Sequence, residues 1–361
     1  MNLSSFSFSL ICLLVSSLVF SSILPSLCTK LAFGDGLTQE QLTASLGNRK
    51  ADLLIKMIPS VVTTETLQNG QKPILEFRLF DSNTNKSFSH VTYYIIIQKD
   101  GKRLLADLFH DHNGDLKILI NPTNTSRVYI SGLQDPLLGA YIRTPDNPVT
   151  ASGPIFTKGG LYHFVVRIET VDADSTLLPD NQEPLYDSWL SIGIAVNHQV
   201  EFNGKHIPIK IISYYDKLNN VTFNPSNRSF AWSMPFNWNL TRIKQQPIFV
   251  HEEFRLPKSW KGFGDSLLFS AIVNGQPLPN TSIALDPFSV PNEMVVHYLI
   301  NKNDLLDFAK KAISDDHDLM KFILSPVSTT KSQIHLIQII TLGIDGTSYS
   351  LLITHHIIYI E

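Results

Sequence analysis

The residues of this chain best placed to do chemistry are two histidines one residue apart, at the end of a run of β type. In Phe109-His110-Asp111-His112-Asn113-Gly114-Asp115, side chains of a strand alternate between faces, so His110 and His112 project together. Two imidazoles on one face can share a transition metal, and Asp115, across the turn, offers a third ligand. Copper is the metal this pair suggests, and no other cofactor is indicated. The competing reading is a hairpin tip whose polar residues gather because the tip is wet.

Asp315-Asp316-His317-Asp318 is a second cluster, rich in the oxygen ligands that suit calcium or magnesium. It lacks the spacing and the downstream Glu of an EF-hand loop, and carboxylates at a helix start are favoured by the helix dipole alone. His355 and His356 are adjacent, so on a strand their rings face opposite ways and the pair does not chelate. Trp232, Phe236 and Trp238 form an aromatic group that serves either as a stacking platform for a sugar ring or as a plug inside the fold. No Gly-x-Ser-x-Gly elbow, His-Glu-x-x-His pair or phosphate-cradling glycine loop occurs, and nothing in the order of the acidic residues selects a glycosidase pair. No catalytic residue is assigned, and the expectation is a protein that is not an enzyme.

The setting is read from the first thirty-four residues. Residues 1–34 hold no acidic side chain and one basic one, Lys30, around an apolar stretch from Leu10 to Leu27. Small residues at Ala32 and Gly34 suit a signal peptidase, so the segment is expected to direct export and to be cleaved after Gly34. The alternative is a retained N-terminal anchor, since about 18 to 20 apolar residues cross a bilayer. Either way the remainder is expected outside the cytoplasm: secreted, pseudo-periplasmic, or anchored to the outer face of the membrane.

Both cysteines, Cys12 and Cys28, fall inside that segment, which excludes disulfides, thiolate zinc sites, iron–sulfur clusters and blue copper from the rest. Net charge is −3 with 17% charged residues, and no basic stripe points to nucleic acid. A 43% hydrophobic content with 21 Phe and 11 Tyr fits a folded, aromatic-rich β protein.

From residue 50 onward the dominant hydrophobic period is two. Leu75, Phe77 and Leu79 alternate with Glu76 and Arg78, and Tyr162, Phe164, Val166 and Ile168 with His163, Val165 and Arg167. Residues 93–97 are apolar on both faces and read as a central strand, whereas Pro208 assigns its segment to a sheet edge. Asp100-Gly101, Asn113-Gly114, Asn203-Gly204, Asn274-Gly275 and Asp345-Gly346 read as tight hairpin turns. A helical period appears over 303–313, with Asn303 as cap; a second short helix is expected through Met320-Lys321-Phe322, and a third at Thr38 to Leu46, where Thr38 and Gln41 have capping-box spacing. The expectation is a mainly β chain of two antiparallel β-sandwich, immunoglobulin-like domains, the second with one or two short helices inserted. Residues 35–49 form a linker or short helix, 50–197 the first domain and 198–361 the second.

Six Asn-x-Ser/Thr sequons follow the leader, at Asn85, Asn124, Asn220, Asn227, Asn239 and Asn280, and read as glycan acceptors in an exported protein. Ala32-Phe33-Gly34-Asp35-Gly36, Gly47-Asn48-Arg49-Lys50, Asp107-Leu108-Phe109-His110 before Asn113-Gly114, Met234-Pro235-Phe236-Asn237-Trp238 and Val250-His251-Glu252-Glu253 together give a resemblance. The chain resembles uncharacterised exported immunoglobulin-like β proteins of ammonia-oxidising archaea (Nitrososphaeria, Thaumarchaeota). That resemblance implies β domains in the cell envelope of an N-glycosylating host and carries over no catalytic residue. Many of that group end in a membrane anchor, whereas Ile357-Ile358-Tyr359-Ile360-Glu361 is strand-like. The functional expectation is a structural or partner-binding envelope protein, its partners other envelope proteins or surface glycans, with a membrane contact only through an uncleaved leader. A copper-binding protein using His110 and His112 and a carbohydrate-binding module using Trp232, Phe236 and Trp238 are the alternatives.

Overall fold

A computed structural model describes residues 39–144, 148–174, 176–179, 182–245, 248–311, 318–327, 338–344 and 347–353, the last two as backbone only. The chain is mainly β, with strands numbered here in chain order. One six-stranded sheet runs β1 (Gln39–Leu46), β2 (Arg49–Ile58), β3 (Ile74–Asp81), β6 (Asp115–Pro122), β10 (Val149–Gly153), β7 (Tyr129–Ser131). A second runs β12 (Leu185–Ile192), β11 (Gly160–Thr170), β4 (Val91–Lys99), β5 (Lys102–Asp111), β9 (Tyr141–Ile142), β8 (Leu133–Gln134). The third, of five strands, runs β13 (Ile194–Phe202), β14 (Lys205–Ser213), β17 (Val250–Pro257), β21 (Glu293–Ile300), β20 (Ile283–Asp286). The fourth runs β15 (Asn219–Asn224), β16 (Ser229–Pro235), β22 (Leu319–Pro326), β18 (Phe269–Val273), β19 (Gln276–Pro277). β23 (Gln338–Ile344) and β24 (Thr347–Ile353) form a separate antiparallel pair. All sheets are open among the described residues, and pairing is antiparallel except for β6 with β10, β5 with β9 and an isolated bridge between Thr63 and Gly193.

Period-two alternation explains the cores. Leu53 faces Leu79 and Ile55 faces Phe77 across β2 and β3, and all four are fully buried. They share one core with Tyr93, Ile95 and Ile97 of β4 and with Phe164, Val166 and Ile168 of β11. A second core is built from Ile211, Phe230, Trp232, Phe254, Tyr298 and Phe322 among others. Each fully buried aliphatic or aromatic side chain contributes about 1.5–3 kcal/mol of transfer free energy, so cores of this size need no disulfide. The sheet changes at Gly193, between β12 and β13, whereas the cut between residues 197 and 198 falls inside β13.

Several local expectations are corrected. Gln39–Leu46 is a strand, not a helix: its exposure alternates, Leu46 is buried, and it pairs with β2 around Gly47 at φ 58°. The Asn113-Gly114 turn joins β5 to β6, which lie in different sheets, so it is a crossing between layers and not a hairpin. Asp111 holds that turn by accepting from the amides of Asn113 and Asp115. Gly114 is required there, with φ 66° and only 2.2 Å between an added Cβ and the Phe88 carbonyl oxygen. Asp100-Gly101, Asn203-Gly204 and Asn274-Gly275 do close hairpins, each with both residues at positive φ; Asp345-Gly346 lies outside the described residues. β4 is internal to its sheet, but Tyr94 and Ile96 are half-buried, so only one of its faces is in the core. β14 is also internal; Pro208 is tolerated because β17 pairs only with Lys210–Ser213.

Three α-helices are described. Helix α1 (Thr64–Gln68) carries a capping box between Thr63 and Thr66, and α2 (Leu240–Gln245) follows Asn239. Helix α3 (Lys302–Lys311) buries Leu305 and Phe308, as its period requires. Its cap is Asn301, whose side chain accepts from the amides of Asn303 and Asp304, so the capping residue is two positions earlier than expected. Residues 320–322 belong to β22 and not to a helix. Among the described residues no helix is long and apolar enough to cross a membrane.

Candidate metal site

The antiparallel register of β4 and β5 sets Thr92 opposite His110. One residue before β4, His90 takes φ 51°, and its amide donates to the carbonyl of His112 at 2.9 Å, which draws the two side chains together. A register shift at Ile168 and Thr170 ends β11. The chain then folds back, with the Asp172 amide donating to the Ser89 carbonyl at 2.7 Å and the Asp172 carboxylate paired with Arg49 at 2.9 Å. That anchor places Asp174 over the histidines.

Four ligand-type side chains therefore converge: His90, His110, His112 and Asp174. His110 Nε2 lies 3.4 Å from His112 Nδ1 and 3.1 Å from Asp174 Oδ1. His112 Nδ1 lies 3.3 Å from His90 Nδ1 and 3.6 Å from Asp174 Oδ1. Zinc bonds of about 2.0–2.1 Å at tetrahedral angles put neighbouring ligand atoms about 3.3 Å apart. Four separations thus match the edges of such a polyhedron, and the fifth, His90 to Asp174 at 2.5 Å, is a hydrogen bond that must lengthen. His110 is buried, whereas the side chains of His90, His112 and Asp174 are 38, 49 and 56% exposed, so an ion has a path in from solvent.

A hydroxyl relay fixes the buried imidazole. Thr92 Oγ1 is 2.9 Å from His110 Nδ1 and 2.8 Å from Thr170 Oγ1, and the Thr170 hydroxyl reaches the His90 carbonyl at 3.1 Å. The Thr92 amide also donates to Thr170 Oγ1. The Thr170 hydroxyl donates to Thr92 Oγ1, and a histidine that ligates through Nε2 carries its proton on Nδ1, for which Thr92 Oγ1 is the acceptor within reach. With the proton on Nδ1, the Nε2 lone pair faces the other three groups, as a metal-ligating histidine needs. Burial, then the neighbouring His112, pull the His110 pKa below the usual imidazole value, against the raising effect of Asp174. The hydrogen bond from His90, foremost, holds the Asp174 carboxyl below its usual range. Both shifts favour the ligating forms.

Asp115 is not in this group. It lies on β6, in the other sheet, and its Oδ2 accepts from Lys117 at 3.0 Å. His90 and Asp174, 84 residues apart, are the ligands that sequence reasoning missed; no spacing motif connects them, and only the β4–β11 pairing does.

A second group, His251, Glu253 and His297, joins β17 and β21. Most of its polar atoms are already engaged, while His251 Nδ1 is buried without a hydrogen-bond partner. His251 Nε2 and His297 Nδ1 are 3.0 Å apart, Glu253 Oε1 accepts from Tyr214 at 3.0 Å, and Oε2 accepts from Arg255 at 2.8 Å. Burial, first, pulls both histidine pKa values down. The group lies beneath the stacked ring of Tyr214, and both Glu253 oxygens already accept hydrogen bonds from protein donors.

Trp232, Phe236 and Trp238 are 3, 3 and 7% exposed and belong to the second core. Trp232 stacks on Phe322 with centroids 5.0 Å apart, and Trp238 Nε1 donates to the Leu319 carbonyl. They plug the interior, and a sugar cannot stack on them. The sequon residues Asn85, Asn124, Asn220, Asn227, Asn239 and Asn280 are all exposed. Asp318 is exposed at the start of β22; the rest of its cluster, like His355 and His356, lies outside the described residues.

Compared with known proteins, the chain matches no family model, no curated protein and no solved structure.

Proposed function

We propose that this chain is an extracytoplasmic binding protein, without catalytic activity, that holds a divalent transition-metal ion on His90, His110, His112 and Asp174. The observation that carries the reading is the set of four inter-ligand separations between 3.1 and 3.6 Å around one buried imidazole whose Nδ1 is held by Thr92. Three nitrogens and one oxygen at tetrahedral spacing suit zinc, while copper(II) stands higher in intrinsic affinity for imidazole. Zinc is the reading favoured by the geometry, and copper the one favoured by ligand type. The apolar leader and the exposed sequons support a location outside the cytoplasm, and the two separate cores support a pair of immunoglobulin-like sandwiches.

The test is calorimetric titration of the purified chain with zinc and with copper(II), beside a His110→Ala/His112→Ala variant. One equivalent bound by the parent and lost in the variant supports the site. Stoichiometric binding that survives the double substitution refutes it.

A further inference from the structure

β5 carries a second feature at the end away from the histidines. β4 flanks it along its whole length, but on the other side β9 meets only Phe109 and His110. Among the described residues, the edge from Lys102 to Asp107 has no strand beside it. The Leu108 amide donates to the Asp107 side chain, which closes the free run at that end. A groove of about 310 Å³ follows this edge, between β5 and the segment leading into β7. Its apolar lining is Leu104, Leu105, Val128 and Ile130, with Leu105 buried and the others half-buried. Lys102, Arg103 and Arg127 stand exposed along it and form no ion pair among the described residues; Asp107 is its acidic member.

An unpaired edge offers alternating N–H and C=O groups to any extended chain. Here the lining adds apolar contact for alternate side chains, and the rim adds net positive charge. Like charges on two copies of the same edge repel, so the basic rim disfavours self-pairing and favours a chain of opposite sign. We propose that this groove accepts an extended, acidic segment of another protein as an added strand on β5, apolar side chains inward and carboxylates toward Lys102, Arg103 and Arg127. This is strand addition, in which backbone bonds give affinity and alternate side chains give selection.

The full chain is titrated against a labelled, blocked peptide of alternating Glu and Val, read by fluorescence anisotropy. The controls are the same peptide with its central Val replaced by Pro and a Lys/Val counterpart. Saturable binding is expected for the acidic peptide. It should weaken by about tenfold or more with the proline, which removes a backbone donor, and with Arg103→Glu/Arg127→Glu, whose exposed sites leave folding intact by circular dichroism. No saturable binding overturns the proposal. So does equal binding of the proline peptide, which reduces the effect to charge, or of the lysine peptide. A dimer in sedimentation that the acidic peptide does not dissociate assigns the edge to a second copy and overturns it as well. None of these outcomes depends on the metal site, whose ligands are not altered.

Discussion

Thr92→Val removes one hydroxyl and keeps the shape of the side chain, so it isolates the relay behind His110. In the parent, His110 Nδ1 has Thr92 Oγ1 at 2.9 Å as its partner. Thr170 keeps two partners in the variant, the His90 carbonyl and the Thr92 amide, so the loss falls on the imidazole. Removing a partner of this kind lowers metal affinity by about 10–100-fold, or about 1.4–2.7 kcal/mol. The buried Nδ1 left without a partner also lowers the stability of the metal-free fold by about 1–3 kcal/mol. Zinc affinity is read by competition with a chromophoric chelator, and stability by urea unfolding of the metal-free protein. Zinc affinity within about twofold of the parent would refute the reasoning, because a ligand free to choose its tautomer would not need Thr92.

Three further outcomes follow from the same geometry. Asp115→Asn should leave zinc affinity unchanged, because Asp115 is turned toward Lys117; a tenfold loss in the same competition assay would return Asp115 to the ligand set. Trp232→Ala should lower unfolding free energy by about 3–5 kcal/mol in urea melts, since the ring is buried and stacked on Phe322; a near-neutral effect would contradict its place in the core. Glu252 is fully buried and its pKa is raised well above 4.5, chiefly by burial, which favours the neutral form in the fold. A raised carboxyl pKa contributes stability that is complete below the unfolded value of 4.5 and is lost as pH rises toward the folded one, by up to about 1.4 kcal/mol per pH unit. Glu252→Gln should therefore gain on the parent in urea midpoint between pH 5 and pH 8, and parallel pH profiles for the two proteins would count against a neutral Glu252.

Alternation and turn dipeptides made most strands legible: Leu75, Phe77 and Leu79 are buried as their period requires, and three Asp/Asn-Gly turns close hairpins. What alternation does not encode is which sheet a strand joins. Asn113-Gly114 reads as a hairpin from its residues, yet the Asp111 side chain and the close approach of Phe88 send β6 into the other layer. At Gln39–Leu46 the spacing of Thr38 and Gln41 imitates a capping box, while Leu42, Ala44 and Leu46 already alternate; pairing with β2 decides for the strand. The candidate site divides in the same way. His110 and His112 are visible as a pair on one strand end, but His90 and Asp174 reach them only through the pairing of β4 with β5 and β11. The aromatic group at 232–238 shows the opposite limit, because residue type alone does not separate a platform from a core.

Cobalt(II) substitution examines the ligand set most directly, since its visible absorption distinguishes tetrahedral from octahedral coordination. One equivalent of cobalt added to the metal-free chain should give intense tetrahedral bands that zinc displaces. His90→Ala and Asp174→Ala should each diminish those bands, because Asp174 lies 3.1 Å from His110 and His90 3.3 Å from His112. Weak octahedral absorption in the parent, or undiminished tetrahedral bands in both variants, would contradict a site built from these four side chains.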